Sequence, residues 1–335
     1  MTDGADAGGG TGGEAEHAAS PRVRENARRR ADLMRAIRSW FDAAGFLEVD
    51  TGLLVDEAGP EPTLDAFFVA GERRSLITSP ELRMKRLLAA GYPRIVQLGK
   101  AFRRGLGERS PLHHPEFTLL EWYRAGEGLD AIVRDLESLL PACGAAFEVP
   151  FERLTVEEAF LRHAGVALAP LLDGDEPGFR DAARAAGFAT ADDEAGEVLF
   201  FRLLLDRVEP RLGRGRPTVL SGYPASMAAL ARLDDDDPRL ARRLELYVEG
   251  VELANAFDEL TDAAEQRRRI ERDRRAKRAE GRDPGPFPER FLAALEAGMP
   301  RAAGIALGVD RLLMLLCGAS TIDDVLLFPD PPADA

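Results

Sequence analysis

Arg103, Arg104, Glu108, Arg109, His113 and His114 crowd one polar loop, Arg103–His114, between two runs of strand-forming residues. A guanidinium donates two parallel hydrogen bonds, so arginines gathered in a loop suit phosphate. Glu121 and Tyr123 follow two residues apart, on one face of any strand that carries them. A carboxylate and a phenol on one face can hold an ammonium group. The stretch from Arg94 to Arg124 therefore offers a place for a polyanion and a place for a cation.

Positioning these groups takes two strands. Ile95, Val96 and Leu98, ending at Phe102, and then Phe117–Tyr123, have strand composition, which predicts an antiparallel pair with the cationic loop at one end and Glu116 and Glu121 as an acidic pair near it. Upstream, Val23, Ala27, Leu33, Ile37 and Phe41 form an apolar stripe that predicts a helix over Arg22–Ala44, closed by Gly45. Phe46–Thr51 reads as a strand. Ser79, Pro80 and Glu81 read as an N-cap, a first helical position and a first-turn carboxylate. Further helices are expected at Leu129–Leu140, Thr155–His163, Gly178–Ala186, Glu194–Val208, Ala263–Arg282 and Pro288–Ala297. Asp234–Asp237 reads as a solvated turn. Arg243–Asn255 alternates acidic and apolar residues in the manner of a strand, and Gly304–Gly318 reads as a glycine-spaced strand running into an apolar helix that Asp310 and Arg311 open.

The 335 residues are 45% hydrophobic, enough for a large core. The net charge of −14 argues against a chain that wraps RNA by broad electrostatics. Two cysteines and four histidines without ligand spacing indicate neither a disulfide scaffold nor a zinc site. No apolar run reaches membrane-spanning length and the N-terminus has no apolar signal core, so the expected location is cytoplasmic and no membrane partner is expected. Residues 1–20, rich in Gly, Ala, Asp and Glu, read as a disordered tail.

FRR…HHPEFTLLEWY resembles the second signature of class II aminoacyl-tRNA synthetases in its lysyl form, GIALGVDRLLML resembles the third, and ELANAFDELTD resembles the lysine-pocket strand. The helix and strand at Arg22–Thr51 resemble the first, which builds a dimer interface. About Arg22–Pro329 is similar to the lysyl-tRNA synthetase catalytic core, and most of all to its stand-alone paralogues that join (R)-β-lysine to a lysine of elongation factor P. The resemblance implies an α+β fold, an antiparallel sheet flanked by helices, over residues 21–335. It implies a helical insertion at about 151–215 and no anticodon-binding domain, since twenty preceding residues cannot build that barrel. It implies an ATP-dependent ligase using Mg2+, a homodimer, elongation factor P as protein substrate, and tRNA not as the main substrate.

By the same resemblance, Arg103 faces the α-phosphate and the substrate carboxylate, and Arg311 the γ-phosphate; these are the catalytic pair. Arg104, Gly105, Glu108, His114, Phe117, Glu252, Leu253 and Gly308 complete the ATP site, with Phe117 stacked on adenine and Arg311 on its other face. Glu245 and Glu252 hold the metal. Ser79, Pro80 and Glu81 face the amino group beside the carboxylate, Asn255 donates to that carboxylate, and Glu121, Tyr123 and Glu259 hold the distal ammonium. Gly105 stands where the second signature often has an adenine-binding glutamate, a role that passes to Glu108. His114 replaces an asparagine, Ala256 a glycine of the pocket strand, and Ala306 a glycine of the third signature. The Ala306 methyl changes which amino-acid shape fits.

Overall fold

The computed structural model describes residues 11–57, 59, 64–105, 107 and 109–329. In chain order it has α1 (Thr11–Ala19), α2 (Pro21–Ala43), β1 (Leu47–Glu48), β2 (Leu54–Val55), β3 (Ser75–Leu76), α3 (Glu81–Ala89), β4 (Arg94–Phe102), β5 (Glu116–Ala125) and α4 (Leu129–Ala142). There follow β6 (Glu152–Thr155), α5 (Val156–Ala164), α6 (Ala169–Leu172), α7 (Glu176–Ala185), α8 (Gly196–Leu203), β7 (Thr218–Pro224), β8 (Leu240–Val248), β9 (Val251–Asp258), α9 (Ala263–Ala279), α10 (Glu289–Gly298), β10 (Ala302–Gly308) and α11 (Val309–Cys317). Eight strands form one sheet in the order β1-β4-β5-β10-β9-β8-β7-β6. Every pairing is antiparallel except the two at its edges, β1 with β4 and β6 with β7.

The two faces of the sheet have opposite chemistry, and the alternation of side chains explains why. On the back, Leu120 and Trp122 of β5, Ala303, Ile305 and Leu307 of β10, and Ala254 and Ala256 of β9 pack against α2, α4 and α11. Asp135 of α4 fastens this layer: it accepts from Trp122 Nε1 at 3.1 Å and from Arg124 Nε and Nη2 at 2.7 Å each. On the front, β10 presents Gly304, Ala306 and Gly308. Gly304 stands opposite Tyr123, and Ala306 stands between Glu121 and Asn255. A central strand bearing only hydrogen or methyl on its front face leaves a bare floor, which is the floor of the cleft. A Cβ at Gly304 would lie 2.1 Å from Tyr123 Cε1 and 2.7 Å from Glu259 Oε1, so no side chain fits there.

The segment from β6 to β7 packs its own apolar cluster around Phe160, Phe179, Phe200 and Tyr223, with Phe160 and Phe200 stacked at 4.8 Å. Its helices largely follow the expected spans, except that α8 widens into a π-helical turn at Leu204–Val208.

Several expectations need correction. Thr11–Ala19 is helical rather than tail, held to the C-terminal segment where His17 Nε2 lies 3.1 Å from the Leu326 carbonyl; residues 1–10 lie outside the described residues. The strand expected over Phe46–Thr51 shortens to β1, because its neighbour β4 pairs with it only at Leu47 and Glu48. Ser79 makes no capping bond; the turn starts at Pro80, whose carbonyl receives Arg83 N at 3.1 Å and Met84 N at 3.0 Å. Glu116 and Glu121 are no pair: an odd separation puts them on opposite faces, Glu116 exposed against Lys100 at 3.1 Å and Glu121 buried. The alternating run Arg243–Asn255 is a hairpin, because Glu249 and Gly250 take φ of 51° and 76° and form the two-residue turn between β8 and β9.

Asp310, in the first turn of α11, ties that helix to β5 and α2. It accepts from Thr118 N at 2.5 Å and is ion-paired with Arg30 of α2. Asp310→Ala removes both bonds and strands a largely buried guanidinium. The expected loss is about 2–4 kcal/mol, toward the low end for a buried pair because Arg30 keeps some water. Asp310→Asn, which keeps an acceptor for Thr118, should lose less. A urea unfolding midpoint unchanged in Asp310→Ala would refute this anchor.

Candidate active site

The cation end of the cleft lies under α3. Glu81 opens that helix, and Lys85, one turn on, bends back to it with Nζ 2.6 Å from Oε1. The same Nζ lies 2.5 Å from Glu259 Oε2, just past β9. Tyr123 donates its hydroxyl to Glu121 Oε1 at 2.7 Å. Lys85 and Glu121 are each 1% exposed, and Glu259 3%. Glu121 Oε2 and Glu259 Oε1 are buried without a hydrogen-bond partner. Buried carboxylate oxygens left unpaired are costly, so the site is shaped for cations that arrive with the ligand.

Protonation tells the same story. Burial, reinforced by Glu81, raises Glu121 well above the usual carboxylate range. Burial likewise pushes Glu259 up to about 8, with Glu81 and Asp258 adding to the shift and Lys85 opposing it. Lys85 is held well above its ordinary value because its two carboxylates outweigh its own burial.

The polyanion end lies where the loop after β4 meets α11. Arg103 stacks its guanidinium on Phe117 at 4.9 Å, with Nε 3.4 Å from the Thr78 carbonyl. Arg311 donates to the Glu252 carbonyl at 2.7 Å, to the Leu112 carbonyl at 3.2 Å and to His113 Nε2 at 2.6 Å. An arginine only donates, so His113 Nε2 is the accepting nitrogen, and Nδ1 faces Ser110 Oγ at 2.7 Å. Burial, then Arg311 and Arg103, lower His113 to about 4, which keeps it the neutral acceptor that aims Arg311.

Glu252 reaches the front through a fold irregularity. Between Leu246 and Tyr247 the register with β9 slips, so that Ala254 pairs with Leu246 and Glu252 with Tyr247. Leu253 is the extra residue of a bulge, which returns Glu252 to the face that carries Glu245 and Asn255. The Leu253 side chain is buried in the apolar cluster, so the role expected of it beside a nucleotide falls to its backbone. Burial and Glu245 raise Glu252, while Arg311, Arg243 and Arg103 oppose the shift. Arg243 also donates from Nε to Asn255 Oδ1 at 3.2 Å, which leaves the Asn255 amide nitrogen as a donor into the cleft.

Among the described residues no group of three or more His, Cys, Asp or Glu is placed to hold a metal alone. Glu245 is already engaged by Tyr247 at 2.6 Å, by Tyr223 and by Arg243. Glu252, 3.6 Å from Arg311 and less engaged than Glu245, is the better placed of the two. The pair suits a divalent ion that phosphate oxygens also ligate, as magnesium prefers.

Of the other expected site residues, Ser79, Pro80 and Glu81 stand at the start of α3, and Ala306 and Gly308 on the cleft floor. Arg104 is held at the loop by its backbone, 2.9 Å from the Asp65 carbonyl, and with Gly105 is exposed. His114 Nδ1 lies 2.7 Å from its own neighbour's carbonyl, that of Glu116. Glu108 lies outside the described residues. Sequence reasoning placed His113 in the polar loop without a role and missed Lys85, Arg243 and Glu209, whose carboxyl is pushed up to about 7 by burial and by Glu252 and Glu245. Of these three only Lys85 carried a signal, its spacing of four from Glu81 on a helix.

A sheet of this order, with a cation pocket and an arginine-lined polyanion site on one face, is a class II synthetase catalytic core. The family described as tRNA synthetases class II (D, K and N) matches residues 16–331, and the chain belongs to it. It is 40% identical over 317 residues to the elongation factor P–(R)-β-lysine ligase of Hamiltonella defensa, covering 91% of this chain and 94% of that protein. It is 41% identical to the ligase of the same name from Proteus mirabilis, with the same coverage. The Vibrio cholerae ligase is 41% identical over 320 residues, covering 91% and 95%. The chain is a member of the elongation factor P–(R)-β-lysine ligase family.

An ammonium entering the cation pocket requires ionised carboxylates, whereas below about pH 8 Glu259 of the free pocket retains its proton. Amino-acid binding then expels that proton, so affinity increases with pH. The KM for the amino acid at saturating ATP should fall by up to about tenfold per unit between pH 6 and 8, then level off. A KM that stays flat over this range would show that the carboxylates are already ionised.

Proposed function

We infer that this protein is an ATP-dependent ligase that adenylates (R)-β-lysine and transfers it to the ε-amino group of a lysine of elongation factor P. The observation that carries the substrate end is the buried cluster Glu81–Lys85–Glu259–Glu121–Tyr123, whose unpaired oxygens call for a molecule with two ammonium groups. In the first step an oxygen of the amino-acid carboxylate bonds to the α-phosphorus of ATP while the bond to pyrophosphate breaks. In the second the neutral acceptor amine attacks the activated carbonyl, an amide forms as the nitrogen releases a proton, and AMP leaves with the bonding electrons.

The residues do this by position and charge. Glu121, Tyr123 and Glu259 anchor the distal ammonium, and Glu81 with Ser79 and Pro80 the nearer amino group. Asn255 orients the carboxylate. Arg103 lies across the α-phosphate and Arg311, aimed by His113, meets the γ-phosphate, so the charge that builds on the phosphates is met by donors already in place. Phe117 offers its face to adenine, and Gly308 lets the backbone approach the nucleotide. Glu252, with Glu245, would hold Mg2+, which when bound neutralises phosphate charge. The methyl of Ala306, between Glu121 and Asn255, narrows the end of the pocket where the carboxylate sits and favours the β-isomer over α-lysine.

A homodimer is part of the same reading. Met34 of α2, Phe102, Leu327 and Phe328 line an open cavity of about 640 Å³ on the side of the sheet where α2 and β1 lie, and Leu47 of β1 is exposed, which supports pairing through that face. No helix among the described residues is long and apolar enough to cross a membrane.

Incubation with ATP, (R)-β-lysine and elongation factor P should add one β-lysyl mass to a single lysine of elongation factor P, seen by mass spectrometry, and tRNA should stay uncharged. Arg311→Ala should slow adenylate formation by about 10²–10³-fold in kcat. A higher KM for ATP at unchanged turnover would instead make Arg311 a ground-state binding group. Unmodified elongation factor P beside charged tRNA would overturn the assignment.

A further inference from the structure

Lys85 has no assigned contact with the substrate, yet it is among the most deeply buried charged residues around the cleft, at 1% exposure. Its ammonium touches two carboxylates from different elements: Glu81 Oε1 at 2.6 Å on its own helix and Glu259 Oε2 at 2.5 Å beyond β9. Glu81 is tied to Lys85 by the four-residue helical spacing. Glu259 is fixed by its backbone, with N 2.9 Å from the Ala302 carbonyl. Lys85 therefore sets how far apart the two carboxylates stand. It also sets the charge of the pocket. Glu81, Glu121 and Glu259 bring three carboxylates and Lys85 brings one ammonium, so with all four ionised two negative charges remain. That is the opposite of the two ammonium groups of a diamino acid, and a substrate with one ammonium would leave a buried charge unmatched.

We propose that Lys85 is the positioning residue of the amino-acid pocket: by bridging Glu81 and Glu259 it fixes their separation and limits the pocket to two net negative charges, which makes the pocket selective for amino acids with two ammonium groups. The proposal rests on the ligase reading above and adds to it a residue that acts on the substrate only through its carboxylates. Lys85→Met keeps the aliphatic volume and removes the charge. Lys85→Arg keeps the charge and changes the spacing.

The test uses the full chain in ATP–pyrophosphate exchange driven by (R)-β-lysine, from pH 6.5 to 9, with melting curves for each variant. In Lys85→Met the KM for β-lysine should rise at least about 30-fold at pH 7 while the KM for ATP stays within about twofold. The pH of half-maximal kcat/KM for the amino acid should move up by about one unit, because carboxylates that have lost their cation hold protons more tightly. Equal rises in both KM values, or a pH profile that superimposes on the wild type, would make Lys85 a packing residue and overturn the proposal. If the methionine variant does not fold, Lys85→Arg decides: the proposal requires a raised β-lysine KM with the wild-type pH profile, and an unchanged KM refutes it. Absence of β-lysine-dependent exchange in the wild type is a separate result, visible before any variant is compared, and it would overturn the ligase reading together with the proposal.

Discussion

Three carboxylates and one ammonium buried at the front of the sheet are the constraint on which the structure depends. Taking charges out of water is unfavourable unless each is matched, and Glu81, Glu121, Glu259 and Lys85 match one another only in part. The rest of the fold holds this imbalance in place. α3 supplies Glu81 and Lys85 from consecutive turns, β5 supplies Glu121 and Tyr123 from one face, and β9 carries Glu259 at its end. The mismatch is tolerable in the free protein because raised carboxylate affinities for protons absorb part of it. A dicationic ligand resolves the remainder.

The neighbouring polyanion site is built on the opposite principle. Here the protein brings three cations, Arg103, Arg243 and Arg311, and sets two carboxylates against them, Glu245 beside Arg243 and Glu252 beside Arg311. Arg311 is aimed by two carbonyls and a neutral histidine, with the Glu252 carboxylate 3.6 Å away. The two sites meet over Gly304, Ala306 and Gly308, whose front face carries nothing larger than a methyl. Class II membership supplies the use of ATP, and the geometry accounts for the order in which charge is met along the cleft.

Much of this was legible in the sequence. The strand–loop–strand from Arg94 to Arg124, the common face of Glu121 and Tyr123, and the strand-to-helix turn at Asp310–Arg311 follow from period-two alternation and glycine spacing, and the structure has them. What was not legible depends on breaks in those periods or on distant partners. The bulge at Leu253 inverts the faces that strict alternation assigns, and turns Glu252 forward while Leu253 goes into the core. His113 gains its role from Arg311, which lies 198 positions away in sequence. Ser79 looks like a cap by residue type, but the helix starts on the Pro80 carbonyl instead. The helix at Thr11–Ala19 has tail composition and is docked by a contact with Leu326 that no local pattern signals.

The central claim, that the pocket is charged to receive two ammonium groups, is tested most directly by comparing (R)-β-lysine with 3-aminohexanoic acid, the same chain without the distal ammonium, in ATP–pyrophosphate exchange with the wild-type protein. The account predicts robust exchange with β-lysine and a kcat/KM lower by about 10³-fold or more for the monoammonium acid, since a site built around a polar group rejects an analogue that lacks it. Comparable kcat/KM values for the two acids would contradict it.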